Sequence, residues 1–391
     1  MNIASAENKL EELLNKDIDK IVAGQNSEFD RLIADTGESY ILFGAGRLGK
    51  IALEGLRKAG IEPIAFADNN PKLWNTDVDR IQVLSPENAV KKYGKSAVFV
   101  ATVYTNQPVL DQLQSLKVKA VSFASLAWKY PQVLLPHADL DLPNEIYNQA
   151  ADVKKAYSLW ADDVSRHEYL GQLEWRISLD HRVLPPHLPQ REIYFPDDLV
   201  SIERDEFFVD CGAFDGDSIR EFLKRNEKFR GFILGIEPDP ENISLLRKYF
   251  STLPKTIQDR VSAIQLAVGT KRGIVRFNAT GSAASSVGVG MFEVQSDSLD
   301  NLLIGKNPTY VKMDIEGAEI EALKGGHNII AENMPILAIC AYHKQEHLWQ
   351  IPLLIHSISD KYRLFLRRYS DECWELVCYA IPEGRLERSQ T

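Results

Sequence analysis

The sequence predicts an α/β protein built from two doubly wound parallel sheets in tandem, joined by a helical connector. Two runs of the chain alternate short apolar strands with amphipathic helices, which is the βαβ rhythm of a parallel sheet. In each run a glycine-rich turn follows the first strand. A chain of 391 residues is long enough for two domains that each bury a core.

The first run starts at Tyr40, after two short amphipathic helical stretches, KLEELL and FDRLIAD. Its first helix carries Leu48, Ala52 and Leu56 on one face, an apolar stripe typical of a helix on a sheet, and Gly60 ends it. The predicted elements are strand YILF, helix RLGKIALEGLRKAG, strand IEPIAFAD, helix SPENAVKKYG, strand SAVFVAT, helix VLDQLQSL and strand KAVSFAS.

Prolines at 131, 136 and 143 mark the end of the first run, and residues 144–180 are predicted to be helical.

The second run comprises strand FFVD, helix SIREFLKRN, strand GFILGIEPD, helix ENISLLRKYF, strand VSAIQLAV, strand TYVKMD, helix AEIEALKGG, strand PILAICAY and strands YRLFLRRY and CWELVCYAI. The predicted domains are an N-terminal helical segment (1–37), a Rossmann-like nucleotide-binding-like domain (38–130), a helical connector (131–193) and a second Rossmann-like domain (194–391).

Composition excludes several classes of protein. No apolar run approaches the roughly 20 residues of a membrane span, and the N-terminus turns polar within a few residues, so we expect a cytoplasmic protein without membrane partners. A net charge of −10 without a Lys/Arg block disfavours nucleic acid. The cysteines lack C-x-x-C spacing, which favours reduced thiols over a zinc site: Cys211, Cys340, Cys373 and Cys378.

The first glycine turn, FGAGRLG, is a complete G-x-G-x-x-G between a strand and a helix. Asp68 lies about 20 residues beyond the turn, where an acid accepts ribose hydroxyls, and Arg47 lies in the loop. This context predicts a possible dinucleotide or nucleotide-sugar site. Equally, the turn can serve only to pack a helix on its strand. The residues of this possible second nucleotide site are Gly44, Gly46, Arg47, Gly49 and Asp68.

The second glycine turn, VDCGAFDGDS, is acidic. Asp210, Asp215 and Asp217 have no Lys or Arg among them, and two like charges about 4 Å apart repel by about 4 kcal/mol at an effective dielectric of 20. A pyrophosphate is therefore disfavoured here. S-adenosylmethionine has a net positive charge, so Asp210 is expected to accept from its ammonium while turn N–H groups meet its carboxylate.

Glu237 ends the next strand about 20 residues beyond the turn, the place of an acid that binds adenosine ribose hydroxyls. The alternative is a surface carboxylate ahead of a helix. The predicted cofactor-binding residues are Asp210, Gly212, Ala213, Phe214, Gly216, Asp217, Ser218, Glu237, Pro238, Asp239, Asn242, Ala267 and Val268.

Several segments between Tyr194 and Ile381 together resemble the FkbM family of S-adenosylmethionine-dependent methyltransferases. They are DCGAFDGDS, IEPDPEN, LAVGTKRGIVRF, SDSLDNLL and YVKMDIEGAEIEALKGG, of which the K-x-D-x-E-G-x-E stretch, Lys312 to Glu319, is the most specific. The resemblance implies a class I methyltransferase fold in the C-terminal domain and methyl transfer to a hydroxyl of a sugar, polyketide or similar molecule. Phe214 stands where the family usually has Asn.

The half up to Ser125 resembles, more loosely, nucleotide-binding-like domains found beside sugar-modifying enzymes, with DNNPKLWN as part of the likeness. This likeness concerns the fold and indicates no ligand.

The acceptor is expected at the carboxyl ends of the fourth and fifth strands of the second run, near Asp314, Glu316 and AYHKQEH. His343 is the first candidate for the general base because its titration range suits neutral pH. Asp314 and Glu316 are alternative bases. His343 is otherwise a structural histidine, and Glu316 is otherwise an acceptor of backbone N–H groups at a helix that begins near Ala318.

HKQEH also spells H-x-x-E-H, an inverted zinc-protease motif, which needs a long helix carrying both histidines. Because Pro352 is expected to leave little helix here, no metal site is predicted. Ser282, Ser285 and Ser286 lie in a glycine-rich stretch that is either a loop closing over the acceptor or a plain loop.

The leading hypothesis is thus an S-adenosylmethionine-dependent methyltransferase acting on a small-molecule hydroxyl. The alternative is an NAD-dependent oxidoreductase or epimerase that acts on a nucleotide sugar through the N-terminal domain. A third interpretation makes that domain a docking or sensing module. A homo-oligomer is a further possible state, since the N-terminal helices suit an oligomer contact.

Overall fold

A computed structural model describes residues 3–104, 107–278, 286–287, 292–371 and 373–386. The chain divides into two compact units. The N-terminal unit comprises Glu11–Asn148 and Leu173–Val183, and the C-terminal unit comprises Met1–Leu10, Gln149–Gln172 and Leu184–Thr391. Residues 131–193 are thus shared between the two units, while the four-part division made from the sequence stays a prediction.

The N-terminal unit contains a six-stranded sheet in the order β3-β4-β2-β1-β5-β6, parallel except for β3. Its strands are β1 (Tyr40–Phe43), β2 (Ala65–Ala67), β3 (Asp77–Val78), β4 (Ile81–Leu84), β5 (Val98–Ala101) and β6 (Ala120–Ser122). The helices described before residue 149 are α1 (Ile3–Leu14), α2 (Ile18–Ile33), α3 (Arg47–Lys58), α4 (Pro86–Tyr93), α5 (Gln107–Ser115), α6 (Phe123–Lys129), α7 (Pro131–Leu134) and α8 (Asn144–Asn148).

The seven-stranded sheet of the C-terminal unit has the order β16-β17-β15-β14-β7-β8-β9. Strands β7, β8, β9, β14 and β15 are parallel, and β17 is antiparallel to both β15 and β16. The strands are β7 (Phe207–Cys211), β8 (Phe232–Ile236), β9 (Val261–Ile264), β14 (Tyr310–Met313), β15 (Ile336–Cys340), β16 (Tyr362–Arg368) and β17 (Leu376–Pro382).

The remaining helices run from the connector to the C-terminus. They are α9 (Ala150–Leu159), α10 (Asp163–Ser178), α11 (Asp217–Arg225), α12 (Pro240–Thr252), α13 (Lys255–Gln258), α14 (Leu299–Leu302), α15 (Glu319–Gly325), α16 (His327–Asn333), α17 (His347–Ile358) and α18 (Glu383–Leu386). Three 3₁₀ turns lie at Pro71–Leu73, His181–Val183 and Gln190–Glu192. Across the described ranges, no helix is both long and apolar enough to cross a membrane.

Both large sheets reverse their strand order at the strand that precedes a glycine turn. On either side of β1 lie β2 and β5, and on either side of β7 lie β8 and β14. Strands β1 and β14 are buried along their whole length, as expected of strands covered on both faces. The prediction of an α/β protein with two doubly wound parallel sheets is confirmed, and in both sheets the reversal places the glycine turn where ligands bind in such folds.

Two predicted strands are shorter than expected. KAVSFAS stops at Ser122, whose side chain accepts a hydrogen bond from the Ser125 N–H and so starts α6. VSAIQLAV is two strands, because Ala267–Val268 (β10) leaves the large sheet for a four-stranded one, ordered β10-β13-β11-β12. The other strands of that small sheet are β11 (Gly273–Asn278), β12 (Ser286–Val287) and β13 (Phe292–Asp297).

The expectation that Pro352 leaves little helix is wrong, because α17 continues through it from His347 to Ile358. A proline inside a helix costs about 3 kcal/mol, since it removes one backbone hydrogen bond and crowds the preceding turn. This helix buries Leu348, Trp349, Ile351 and Ile355, so packing of its apolar face outweighs that cost. Trp349 also donates an indole hydrogen bond to Gln149 Oε1 (2.8 Å).

Candidate functional site

The acidic glycine turn lies between β7 and α11, at the carboxyl end of an interior strand. Gly212 (φ +79°) and Gly216 (φ +91°) have left-handed backbone conformations, which glycine adopts without strain. A Cβ atom on Gly212 would lie 1.9 Å from the carbonyl oxygen of Asp314, and one on Gly216 would lie 2.9 Å from Leu246 Cδ1. Both positions therefore require glycine, and the turn brings the ends of β7 and β14 into contact.

Glu237 fastens this turn to the end of β8. Its Oε2 accepts a hydrogen bond from the N–H of Phe214, and its Oε1 accepts one from the N–H of Asp239, both at 2.9 Å. Burial raises the pKa of Glu237, although these two N–H donors oppose the shift. A carboxylate oxygen can accept more than one hydrogen bond, so Glu237 can still bind a ligand in the cavity that it lines.

A cavity opens beside the turn, at the carboxyl ends of β8 and β14. It encloses about 700 Å³ of empty space, including the part open to solvent. Four of its lining side chains are carboxylates, and Lys312 is the basic one among the described lining residues. The lining consists of Gly212, Phe214, Asp217, Ser218, Ile236, Glu237, Pro238, Asn242, Leu266, Ala267, Val268, Lys312, Asp314, Ile315, Glu316 and Ala318.

Most predicted cofactor-binding residues therefore line one cavity, together with Asp314 and Glu316. Asp239 is not among the lining residues and instead caps α12, where its Oδ1 accepts from the N–H groups of Glu241 and Asn242. Ser218, at the start of α11, donates its N–H to Asp217 Oδ1 (2.7 Å). The predicted cofactor-binding and catalytic residues of the C-terminal domain that lie outside the lining are Asp210, Ala213, Gly216, Asp239 and His343.

Asp210 is fully buried and forms an ion pair with Lys312, with 3.0 Å between Oδ1 and Nζ. The Lys312 ammonium also donates to the carbonyl oxygen of Gly212 (2.8 Å) and lies 5.0 Å from the centroid of the Tyr194 ring. Burial raises the pKa of Asp210 to about 7 against the opposing effect of Lys312. Burial alone would lower the pKa of Lys312, but Asp210 and Asp314 raise it above its usual value.

The acidic cluster is therefore compensated, and the picture of uncompensated repulsion drawn from the sequence needs correction. Lys312 arrives from β14 to neutralise Asp210, and the Arg220 guanidinium lies 2.5 Å from Asp215 Oδ1. Asp217 is left as the acid of the turn that lines the cavity. The cation missing from the turn is supplied by a strand about 100 residues away in sequence.

Asp314, His343 and Glu319 form a row of charged groups. His343 Nδ1 lies 2.8 Å from Glu319 Oε1, and His343 Nε2 lies 3.2 Å from Asp314 Oδ1. On its other oxygen, Asp314 accepts a hydrogen bond from the Tyr194 hydroxyl (2.7 Å). The His343 side chain is 6% exposed, whereas that of Asp314 is 25% exposed and lines the cavity.

The expectation that His343 titrates near neutral pH is wrong. Burial opposes its charge, but Glu319 and Asp314 hold the pKa of His343 well above its ordinary value. Burial would likewise raise the pKa of Asp314, yet hydrogen bonds and charges from His343, Lys312 and Tyr194 hold it below the usual range. Both shifts favour a row of carboxylate, imidazolium and carboxylate.

Glu319 accepts backbone N–H groups at the start of the helix. Its Oε1 accepts from the N–H groups of Ile315 (2.9 Å) and Gly317 (3.4 Å), and α15 begins at Glu319 itself. Glu316 lines the cavity and has φ +54°, a strained conformation for a residue with a side chain. The carboxylate of Glu316 is thus placed toward ligand space.

The two histidines of HKQEH do not share a helix, because His343 precedes α17 and His347 is its first residue. His347 Nδ1 lies 3.3 Å from Glu319 Oε2, and burial lowers the pKa of His347 to about 4. Within the described ranges, no group of three or more His, Cys, Asp or Glu side chains is arranged to hold a metal ion.

Phe214 has φ +46°, which explains why an asparagine suits this position. Left-handed backbone costs an ordinary residue about 1–2 kcal/mol, and Asn tolerates it better. We expect Phe214→Asn to be more stable than Phe214→Ala by about 0.5–1 kcal/mol in urea unfolding, since both variants lose the ring and only Asn suits the conformation. Equal stabilities of the two variants would contradict this account.

The first glycine turn lies between β1 and α3 as predicted. Gly44 has φ +116°, and a Cβ atom on Gly49 would lie 2.0 Å from the carbonyl oxygen of Gly44, so α3 packs directly on the turn. Asp68 Oδ2 accepts from the N–H of Ala45 in the turn (2.8 Å), and its Oδ1 accepts from the N–H of Asn70 (2.7 Å). Glu237 makes the same pair of bonds, to a turn residue and to the residue two places further on.

Gly46 and Arg47 are exposed at the start of α3, where Gly46 is the N-cap residue. The backbone of the turn at these two residues is therefore accessible from solvent. Whether the turn binds a ligand stays a prediction, as does the role of each residue of this turn.

The chemistry-bearing residues that sequence reasoning missed are Lys312, Glu319 and Tyr194. The first two are the ends of the K-x-D-x-E-G-x-E stretch, so the motif itself pointed to them. Tyr194 lies far from the motif in sequence and carries no such signal. Of the serines considered for a closing loop, Ser282 and Ser285 lie outside the described residues, and Ser286 belongs to β12.

Residues 210–373 match the family model described as "Methyltransferase FkbM domain". A search among curated proteins finds no match. The methyltransferase FkbM of Methylobacillus flagellatus KT has a similar crystal structure, with a TM-score of 0.79 and 19% identity, covering 97% of this chain and 100% of that one.

Two other solved structures are less similar to this chain in fold. Precorrin-6y C5,15-methyltransferase from Geobacter metallireducens GS-15 has a TM-score of 0.32 and 11% identity over 49% of this chain and 87% of that one. UDP-D-quinovosamine 4-dehydrogenase from Vibrio fischeri has a TM-score of 0.18 and 22% identity over 22% of this chain and 75% of that one. Neither similarity bears on the activity of this chain.

The family match covers the acidic turn, the cavity residues of β8 and β14 and the row from Asp314 to His343. The fold of the chain is that of the Methylobacillus methyltransferase. Residues 210–373 therefore match the FkbM methyltransferase family, and the fold similarity extends over nearly the whole chain.

Proposed function

We propose that this protein transfers a methyl group from S-adenosylmethionine to a hydroxyl of a small molecule. The observation that carries the proposal is the cavity at the carboxyl ends of β8 and β14, which the acidic turn and four carboxylates line. This is the place where open parallel sheets bind ligands. The methyltransferase domain narrows the chemistry to methyl transfer.

The residues that line the cavity fit a cationic cofactor. Asp217, Glu237, Asp314 and Glu316 outnumber Lys312, so the wall is acidic. S-adenosylmethionine carries an ammonium and a sulfonium against one carboxylate, and its net charge is positive. A pyrophosphate-bearing dinucleotide would instead bring negative charge to this wall, which raises the energy of the complex.

Each part of the wall has a proposed task. Glu237 would accept hydrogen bonds from ribose hydroxyls, with its orientation fixed by the N–H groups of Phe214 and Asp239. Lys312, the basic lining residue, would face the cofactor carboxylate. Asp210 is buried and paired with Lys312, so we assign to it the positioning of that ammonium in place of a direct contact with the cofactor.

Asp314 is the group best placed to receive a proton. When bound, S-adenosylmethionine supplies an electrophilic methyl group on a sulfur that is already a good leaving group. The protein's own work is then to align the acceptor hydroxyl and to take its proton as the new C–O bond forms. Asp314 lines the cavity and is a quarter exposed, so its carboxylate can accept a hydrogen bond from the acceptor hydroxyl. Its lowered pKa makes it a weak base, so the proton would move to it only as methyl transfer makes the hydroxyl acidic.

The NAD-dependent alternative gains no support from the fold comparisons, and residues 210–373 account for a methyltransferase without it. The N-terminal unit as a docking or sensing module, and a homo-oligomeric state, stay predictions.

Binding of S-adenosylhomocysteine tests the proposal by isothermal titration calorimetry. We expect the wild type to bind and Glu237→Gln to bind about 10- to 100-fold more weakly, since hydrogen bonds to a charged group are each worth about 1.5–3 kcal/mol. Glu241→Gln is the matched control, because Glu241 is an exposed acid on the neighbouring helix. A wild type that binds neither this ligand nor S-adenosylmethionine would rule the proposal out.

A further inference from the structure

We propose that His343 is a positioning residue that holds the Asp314 carboxylate toward the acceptor. Glu319 anchors the His343 ring, and His343 takes no proton from the acceptor. This inference rests on the proposed function, because it assigns a role in the same cavity. It removes the most obvious histidine from acid–base chemistry and makes Asp314 the group that meets the acceptor.

Both ring nitrogens of His343 face carboxylate oxygens. Nδ1 lies 2.8 Å from Glu319 Oε1 and Nε2 lies 3.2 Å from Asp314 Oδ1. An ionised carboxylate can only accept hydrogen bonds, so each ring nitrogen must carry a hydrogen to bond its partner. A general base needs a lone pair directed at the acceptor, and the doubly protonated ring has none.

The far end of the row is fixed to the backbone. Glu319 Oε1 accepts from the N–H groups of Ile315 and Gly317, and the residue is fully buried at the start of α15. His343 therefore bonds to a carboxylate that cannot turn away. A rigid acid at one end and an imidazolium in the middle define where Asp314 Oδ1 lies.

The near end of the row is open to ligand. The Tyr194 hydroxyl donates to Asp314 Oδ2 (2.7 Å), so the carboxylate is held from two sides. Among the groups of this row, Asp314 lines the cavity and His343 does not. The acceptor would therefore meet the carboxylate, which the imidazolium both orients and keeps ionised.

The charged and titratable groups around this row come from several elements. At one end of the row, Glu319 from α15 and His347 from α17 lie next to His343. The charge of Lys344 acts on His347, and the charge of Glu316 acts on Tyr342. Tyr194, Tyr342, Cys340 and Lys312 surround Asp314, and Asp210 and Asp217 act on Lys312. The net effect on Asp314 is a lowered pKa.

This predicts a pH dependence with a definite sign. Ionised Asp314 favours a cation in the cavity, so a preference for cationic ligands is present above the pKa of Asp314 and is lost as pH falls through it. Removing the positive charge of His343 raises that pKa. The loss of preference should therefore occur at a higher pH in a His343 variant than in the wild type.

S-adenosylmethionine and S-adenosylhomocysteine are suitable probes, because they differ by one methyl group and one positive charge at sulfur and need no acceptor. Calorimetry between pH 5 and pH 8 gives the affinity for S-adenosylmethionine divided by the affinity for S-adenosylhomocysteine. Because the pKa of Asp210 is about 7, each variant is compared with the wild type at the same pH. For Asp314→Asn we expect a ratio about tenfold lower than that of the wild type throughout. For His343→Gln the ratio should match the wild type at pH 8 and fall toward that of Asp314→Asn at pH 5.

His327→Gln is the matched control, since His327 is exposed on α16. It should reproduce the wild-type ratio at every pH. A His343→Gln profile that is identical to that of the wild type would overturn the positioning role, even though both ligands bind and the proposed function stands.

Nuclear magnetic resonance of ring-labelled histidine gives a test that does not depend on cofactor binding or on the fate of His343→Gln. We expect the His343 ring nitrogens to show the imidazolium signature up to pH 8 in the wild type and to titrate at lower pH in Glu319→Gln, which keeps the shape of the side chain and removes its charge. A neutral His343 at pH 7 in the wild type would overturn the inference. If neither nucleoside ligand bound, the proposed function would fail, and the ring signature would still decide whether the row exists.

Discussion

Replacing Lys312 with methionine is expected to lower the free energy of unfolding by about 3–5 kcal/mol. The substitution leaves Asp210, which is fully buried, without the ammonium that lies 3.0 Å from its Oδ1. It also removes the donor to the Gly212 carbonyl, so the turn loses a tie to β14. Urea unfolding followed by circular dichroism measures the loss.

The effect of Lys312→Met should depend on pH. Burial already raises the pKa of Asp210 to about 7 with Lys312 present, and without it the pKa rises further. A carboxyl whose pKa is raised on folding destabilises the protein as pH rises through that pKa. The loss relative to the wild type is therefore expected to be larger at pH 8 than at pH 5.

Two further variants separate the charge from the shape of Lys312. Lys324→Met changes an exposed lysine on α15 and should change stability by less than about 0.5 kcal/mol. Asp210→Asn combined with Lys312→Met leaves no unpaired buried charge and should recover most of the loss. A double variant as unstable as Lys312→Met alone would show that the unpaired carboxylate is not the cause.

Gly212→Ala is expected to lower the free energy of unfolding by about 2–6 kcal/mol and to abolish measurable binding of S-adenosylhomocysteine. The new Cβ would lie 1.9 Å from the Asp314 carbonyl oxygen, and φ +79° is strained for alanine. The clash is with backbone, and β7 and β14 are held in register through Cys211 and Met313, so neither strand can move away without breaking the sheet.

Gly269→Ala provides the comparison for this variant. Gly269 follows the cavity residue Val268, and a Cβ atom there would meet no atom within 4 Å. Urea unfolding and calorimetry should show it to be close to the wild type in both stability and affinity. Similar losses in the two variants would mean that any added methyl group near the cavity is harmful and that the close approach at Gly212 has no special role.

Local patterns predicted the two sheets and the position of the acidic glycine turn between β7 and α11. Glycines, the spacing from Gly216 to Glu237 and the K-x-D-x-E-G-x-E stretch each depend on neighbours in sequence, and the structure places Gly212, Glu237 and Lys312 on one cavity. Local sequence patterns were least informative where tertiary packing determines whether a segment is helical. Helix α17 runs through Pro352 because its other residues are buried, and a window of sequence does not show that burial.

The sequence also did not predict which charged groups pair with each other. The sequence around Asp210 shows no compensating cation, because Lys312 lies about 100 residues later, on the adjacent strand. The ordinary pKa of histidine predicts titration near neutrality for His343, whereas Glu319 and Asp314 raise its pKa. In both cases the property depends on which groups come within about 3 Å, and only the fold determines that.

The two hydrogen bonds that hold Glu237 also bear on the entropy of binding. A ligand that reached a freely rotating glutamate would have to immobilise it, at about 0.5–1.5 kcal/mol for a side chain with many rotamers. Here the N–H groups of Phe214 and Asp239 restrict that carboxylate when the chain folds. Glu237 is therefore preorganised, and the conformational freedom that binding would otherwise remove is already lost on folding.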